Sequence, residues 1–123
     1  MITEKKIFGT TKMNWNSITT EEQIDSLVKE SENTPVLIFK HSTRCSISSM
    51  VKDRVERSWN FDGKVKPYYL DLITYRNISN LIAEKFNVEH QSPQAILLKN
   101  GQVQYDASHM AISLDQAVNI LEK

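Results

Sequence analysis

The run Val36-Leu37-Ile38-Phe39 is apolar at every position, and Asn33-Thr34-Pro35 cuts it off on its N-terminal side. A strand with one wet face alternates apolar and polar residues, so an unbroken apolar run of this length reads as a strand covered on both faces. Apolar residues then recur at helical spacing, at Ile47, Met50, Val51, Val55 and Trp59. This helix is expected to reach about Asn60 and to stop before the turn signal Asp62-Gly63. A second apolar strand follows from Val65 to Leu72. Strand, helix, strand at this spacing is a βαβ unit, which means two parallel strands joined by a right-handed crossover. A sheet buried on both faces requires helices on each side.

The rest of the chain supplies them. A helix is expected to begin near Thr20, where Thr20 with Gln23, or Thr19 with Glu22, has capping-box spacing. Its apolar stripe is Ile24, Leu27 and Val28, and Asn33-Thr34-Pro35 ends it, because the residue before a proline avoids helical angles. Another helix covers Tyr75 to Phe86, with Ile78, Leu81, Ile82 and Phe86 on one face. Ala95 to Leu98 reads as a strand, and Asn100-Gly101 as a tight hairpin turn that returns Val103 to Tyr105 antiparallel. A last helix is expected from Ser113, whose capping box Gln116 completes, with Leu114, Ala117, Val118 and Leu121 facing the core. Upstream, Lys5 to Asn16 show little periodicity and suggest an extended arm or short strand, with Trp15 as a buried anchor and Ile18 also packing onto the body. The class is α/β: a mixed sheet of four to five strands with helices on both faces.

A chain of 123 residues fits a single domain over 1–123, with 1–18 as an N-terminal arm packing on it. Formal net charge is zero, so nothing attracts nucleic acid or anionic membranes broadly. Tyr68 and Tyr69 therefore read as sheet packing and not as a base-stacking platform. One cysteine excludes an internal disulfide and a Cys-rich metal site. The three histidines and this cysteine lack metal-finger spacing, so no metal is expected. The opening residues from Met1 to Lys6 lack a signal-peptide core, and no apolar run nears the roughly 20 residues that span a bilayer. The expected location is the cytoplasm, where free thiols persist.

That cysteine, Cys45, falls where the first βαβ strand hands over to its helix. In open α/β sheets, sites form beyond the carboxyl ends of the parallel strands. A helix start presents unpaired N–H groups and the positive end of a macrodipole, and both favour a thiolate over a thiol. Lys40 and Arg44 are near in sequence and would add positive field if directed there. A free cysteine is often an inert core filler, but the neighbours Thr43, Arg44, Ser46 and Ser48 make a poor core, so Cys45 reads as a nucleophile. Ser48, one helical turn on, is placed either to hydrogen-bond the sulfur or to be an ordinary first-turn serine. Thr43 is a candidate for bonding the sulfur or capping the helix. Two roles are open to His41: proton acceptor for Cys45, or hydrogen-bonded structural histidine.

Cys45 after the first βαβ strand, with Pro93 just before the hairpin, resembles the thioredoxin fold, whose cis-proline loop faces the active cysteine. Cys45-Ser46-Ile47-Ser48 lacks the second cysteine of a dithiol redoxin. Lys40-His41-Ser42-Thr43 leading to Cys45, then Ile47-Ser48, resembles the active-site loop of the bacilliredoxin family in its monothiol, bacillithiol-system branch. So do His90-Gln91-Ser92-Pro93-Gln94-Ala95, the Asn100-Gly101 turn, and Ser108-His109 with Ile112. One departure is Ser46, where the family usually has proline, which pre-sets the first helical turn.

The resemblance implies a monothiol oxidoreductase that reduces mixed disulfides between proteins and bacillithiol. Cys45 would be the catalytic thiol, supported by Ser48, Thr43, His41 and Arg44, with Ser46, Ser92, Pro93, Gln94 and His109 binding substrate. It implies no tightly bound cofactor, bacillithiol as co-substrate, and S-bacillithiolated proteins as partners. A low-molecular-weight thiol or a partner redoxin would be the reductant, and neither nucleic acid nor membrane a partner. The competing reading is a non-enzymatic redox sensor or adaptor of the same fold, modified at Cys45 without turnover. An iron–sulfur-carrying monothiol glutaredoxin would have Cys-Gly-Phe-Ser, and Ser46 and Ile47 do not supply the close backbone approach that glycine allows.

Overall fold

The computed structural model describes residues 13–61 and 63–121, and the expectations for Lys5 to Lys12 lie outside them. The elements are β1 (Asn16–Ser17), α1 (Glu22–Glu30), β2 (Val36–His41), α2 (Ser46–Ser58), β3 (Lys66–Asp71), α3 (Arg76–Phe86), β4 (Gln94–Lys99), β5 (Gln102–Ser108) and α4 (Leu114–Leu121), with a 3-10 turn at His109–Ala111 before α4. The five strands form one sheet in the order β1-β3-β2-β4-β5. β2 and β3 are parallel, β4 and β5 antiparallel, as the sequence implies. The upstream segment contributes a strand of two residues, parallel to β3, with Asn16 opposite Tyr68.

β2 holds the centre. All six of its residues are buried, and the two-residue period of a strand divides them between two cores. Leu37 and Phe39 pack with Val51 and Val55 of α2 and Ala117 of α4. Val36 and Ile38 pack with Leu27 of α1 and Ile78 and Ile82 of α3. Burying side chains of this size contributes about 1.5–3 kcal/mol each, which explains why the apolar run survives as a strand on both faces. Trp15 is half-buried against Phe39 and Tyr69, and its Nε1–H donates to Glu56 at 2.7 Å, so it anchors the start of the described chain.

The helix starts differ in detail from the capping expectation. α1 begins at Glu22, and neither threonine hydroxyl caps it. Instead the Gln23 side-chain oxygen accepts from the N–H of Thr19 at 2.6 Å and of Thr20 at 3.0 Å, which is the returning half of a capping box. At α4 the Ser113 hydroxyl accepts from Gln116 N–H at 3.4 Å, the expected cap. α2 runs from Ser46 and ends one residue before Trp59. α3 ends on Asn87, whose left-handed φ of 52° closes the helix.

The β4–β5 turn has φ of 54° at Asn100 and 74° at Gly101, the pair of positive values that a two-residue hairpin turn demands. Ser31, at the end of α1, locks this turn: its carbonyl accepts from Asn100 N–H at 2.8 Å and its hydroxyl from Gly101 N–H at 2.7 Å. A Cβ on Gly101 would meet Val28 Cγ1 at 3.3 Å. Gly101→Ala is therefore expected to destabilise the fold by about 1–2 kcal/mol, the usual strain of a left-handed alanine. A urea denaturation midpoint, lowered at unchanged slope, checks this.

Candidate functional site

Four chain segments meet at one end of the sheet. β2 and β3 run parallel, with His41 opposite Asp71, so both reach this end at their carboxyl termini. β4 runs the other way and starts here, with Gln94 opposite Lys40. β5 ends here, with Ser108 opposite Gln94. The Ser42–Cys45 loop and the Ser92–Pro93 loop thus leave neighbouring strands side by side. The Ser92–Pro93 peptide is cis, and Pro93 is buried.

Cys45 is a free, half-buried thiol in the N-cap position of α2, with extended backbone (φ −110°, ψ 121°). Its N–H donates to Ser42 O at 3.2 Å, and its carbonyl accepts from Ser49 N–H at 3.1 Å as α2 begins. The positive end of the α2 dipole is therefore at the residue that carries the sulfur. Ser46 occupies the first helical position and is exposed, so α2 starts there without a proline. Thr43 and Arg44 are exposed, and Thr43 does not cap α2, because Cys45 itself holds that position.

Ser48 does not hydrogen-bond the sulfur. It is fully buried, and its hydroxyl faces back under the loop, accepting from Ser42 N–H at 3.1 Å and lying 2.6 Å from His41 Nδ1. Spacing of one helical turn predicts proximity to Cys45 but not the direction of the side chain. Ser48 and His41 instead form a brace that fixes the first residue of the loop.

His41 is 5% exposed and lies among the rings of Phe39 and Tyr69. Burial pushes its pKa below the ordinary 6.5, and Lys52 acts in the same direction, against Asp71 and Glu56. It is a neutral imidazole at pH 7. Its Nδ1 is held by the Ser48 hydroxyl, which also accepts from Ser42 N–H.

The Pro93 loop is held from several sides. Pro93 O accepts from His109 N–H at 2.9 Å, which brings His109, exposed and at φ 56°, beside it. Gln94 is 1% exposed, and its amide donates to Glu89 O at 2.8 Å and Asp106 Oδ1 at 3.0 Å. Expected as a substrate contact, Gln94 is turned inward and ties the loop to β5. Ser92 Oγ is buried and has no hydrogen-bond partner among the described residues.

Lys40 was not singled out as a site residue by the sequence, beyond a contribution to the field at Cys45. Strand alternation sends it to the face opposite His41, together with Ile38, where it is fully buried. Its Nζ donates to Ser79 O of α3 at 3.2 Å and lies 3.3 Å from His90 Nδ1, which is also 3.2 Å from Ser79 Oγ. Burial pushes its pKa from 10.5 down to about 8, with Asp106 opposing. That drop corresponds to roughly 3 kcal/mol of penalty for keeping the ammonium charged there. Among the described residues, no group of three His, Cys, Asp or Glu is arranged to hold a metal ion, and no helix is long and apolar enough to cross a membrane.

Residues 16–117 match the family described as monothiol bacilliredoxin BrxC. Among solved structures, the chain is similar to one described as a candidate oxidoreductase with a thioredoxin fold, at 29% identity and TM-score 0.73, covering 86% of this chain and 92% of that one. It is also similar to the Malassezia sympodialis thioredoxin Mala s 13, at 18% identity and TM-score 0.67 over 92% and 93% of the two chains. The Fasciola hepatica thioredoxin matches at 16% identity and TM-score 0.66 over 87% and 97%. The last two likenesses show the fold.

His41 and His90 give the molecule an acid-side weakness. Both have folded pKa values lowered from 6.5, chiefly by burial. Below 6.5 the unfolded histidines therefore bind more protons than the folded ones, so the stability they contribute is complete above that pH and is lost as pH drops through the lowered folded values. Urea midpoints measured from about pH 8 to about pH 5 should decline on the acid side, and His41→Gln should flatten the decline.

Proposed function

We propose a course of reaction for this chain, which belongs to the monothiol bacilliredoxin BrxC family and is a thiol-disulfide oxidoreductase. Its substrates are proteins carrying bacillithiol in mixed disulfide, and Cys45 is the attacking group. The observation that carries the reading is the placement of one half-buried thiol at the N-cap of α2, at the end of the sheet where the Ser92–Pro93 loop enters β4.

The thiolate of Cys45 attacks the bacillithiol sulfur of the mixed disulfide. A new S–S bond joins Cys45 to bacillithiol, the old S–S bond breaks, and the protein sulfur leaves with the electron pair and takes a proton from solvent. The α2 dipole favours the negative sulfur at the start of this step. The sequence has one cysteine, so the second step needs an outside thiol. A bacillithiol thiolate attacks the bacillithiol sulfur held on Cys45, which releases the low-molecular-weight disulfide and returns Cys45 reduced. A partner redoxin thiol would serve the same purpose.

In this reading the residues divide their roles. His41 and Ser48 set the height of the loop through Ser42. Thr43, Arg44 and Ser46 form its exposed rim. Ser92 and Pro93, with His109 beside them, present the backbone against which an extended substrate chain lies, as in strand addition. Gln94 holds that wall and does not touch the substrate.

Intact-mass spectrometry after exposure to a bacillithiol mixed disulfide should find one small-thiol adduct, and Cys45→Ala should carry none. An adduct elsewhere on the chain would sink the assignment of Cys45. Pro93→Ala should raise KM for the thiolated protein several-fold, with Cys45 still alkylated by iodoacetamide at the wild-type rate.

A further inference from the structure

We propose that Lys40 is a positioning residue of the exchange site, acting from the far face of the sheet by holding His90 and, through it, the loop that ends in Ser92–Pro93. The proposal rests on the reading of the Pro93 loop as the docking wall.

Lys40 lies between β3 and β4 at the centre of the sheet, in a core otherwise built from Ile38, Ile78, Ile82 and Ile96. A methionine or leucine there would pack without an ammonium to desolvate. Among the described residues no carboxylate lies within ion-pair distance of Nζ, and Asp106 acts on it only at longer range. A buried cation compensated only by a backbone carbonyl and an imidazole weakens the fold. Ionisable groups so strongly perturbed by burial cluster at functional sites.

What this geometry serves is a short segment. His90 Nδ1 is gripped by Lys40 Nζ and Ser79 Oγ, and the neighbouring Glu89 carbonyl by the Gln94 amide. Three residues further on, Pro93 O is bonded by His109. The segment is thus clamped at both ends, and its upstream clamp is anchored in β2 directly opposite Gln94. The charged groups facing this cluster are His90 from the loop, Asp106 from β5, and Arg76 from the start of α3 near His90.

Lys40→Met separates a positioning role from packing. The variant is expected to unfold several degrees higher, because the buried charge is gone. Its KM for an S-bacillithiolated single-cysteine protein should rise about tenfold, the loss of one charge-assisted hydrogen bond, with kcat within about twofold of wild type. Alkylation of Cys45 by iodoacetamide, which needs no wall, should keep its wild-type rate. His90→Gln retains an acceptor for Nζ and should keep KM near wild type, whereas His90→Leu should reproduce the rise. An unchanged KM in Lys40→Met, beside a raised KM in Pro93→Ala, overturns the role of Lys40 alone. A lower melting temperature with kcat and alkylation reduced in parallel marks Lys40 as packing and also overturns it. An unchanged KM in Pro93→Ala removes the wall itself, and the proposal falls with it.

Discussion

The hydrogen-bonded pairing of β2 on both of its edges is what the rest of the structure depends on. β3 lies parallel on one side and β4 antiparallel on the other. Every backbone group of a strand in this position is satisfied within the sheet, so the strand can be wholly buried without orphaned polar groups. The loops that leave it and its neighbours are then fixed in relative height by the register. With Lys40 opposite Gln94 and His41 opposite Asp71, the cysteine loop, the proline loop and the end of β3 emerge together. A monothiol enzyme of this kind needs its sulfur and its substrate's backbone in fixed relation, and the register supplies the relation before any side chain acts.

Two adjacent basic residues, Lys40 and His41, leave the end of β2 through opposite faces. His41 reaches Ser48 and, through it, Ser42, at the root of the cysteine loop. Lys40 reaches His90, four residues before Gln94. Burial lowers the pKa of both for the same reason: a charged form is disfavoured where no solvent supports it. His41 resolves the conflict by staying neutral and pairing with the Ser48 hydroxyl. Lys40, with a pKa of about 8, still carries its proton at pH 7, so its donors must find carbonyl and imidazole lone pairs.

The sequence was most legible where burial acts on a whole run. An apolar strand, a helical stripe and a second apolar strand leave few alternatives to a βαβ unit, and Asn100-Gly101 leaves few to a tight hairpin. The location of Cys45 followed from the same pattern, because a strand–helix junction is read from its flanks. Directions of single side chains were less legible. Ser48 is near Cys45 along the helix, yet its hydroxyl is claimed by His41 and Ser42, a partnership across seven residues that no periodicity displays. Gln94 looked like a site residue because of its neighbour Pro93, whereas its amide is engaged by Glu89 and Asp106. A signal for Lys40 did exist: period two places it with Val36 and Ile38, opposite Phe39, but a charged residue at a strand end is ordinarily read as leaving for solvent. β1, with two residues, is too short to carry a pattern at all.

The two rims of the sheet also bear on what this molecule can recruit. Among the described residues one rim is β1, which pairs over Asn16 and Ser17. The other is β5, where the pairing slips between Leu97 and Leu98 and half-buried residues alternate with exposed Gln102, Gln104 and Asp106. A brief strand and a kinked polar one are poor templates for lateral addition of a foreign chain. On the proposed reading, traffic with other polypeptides is then left to the sulfur-bearing end, and a protein built on an open sheet would meet its clients end-on.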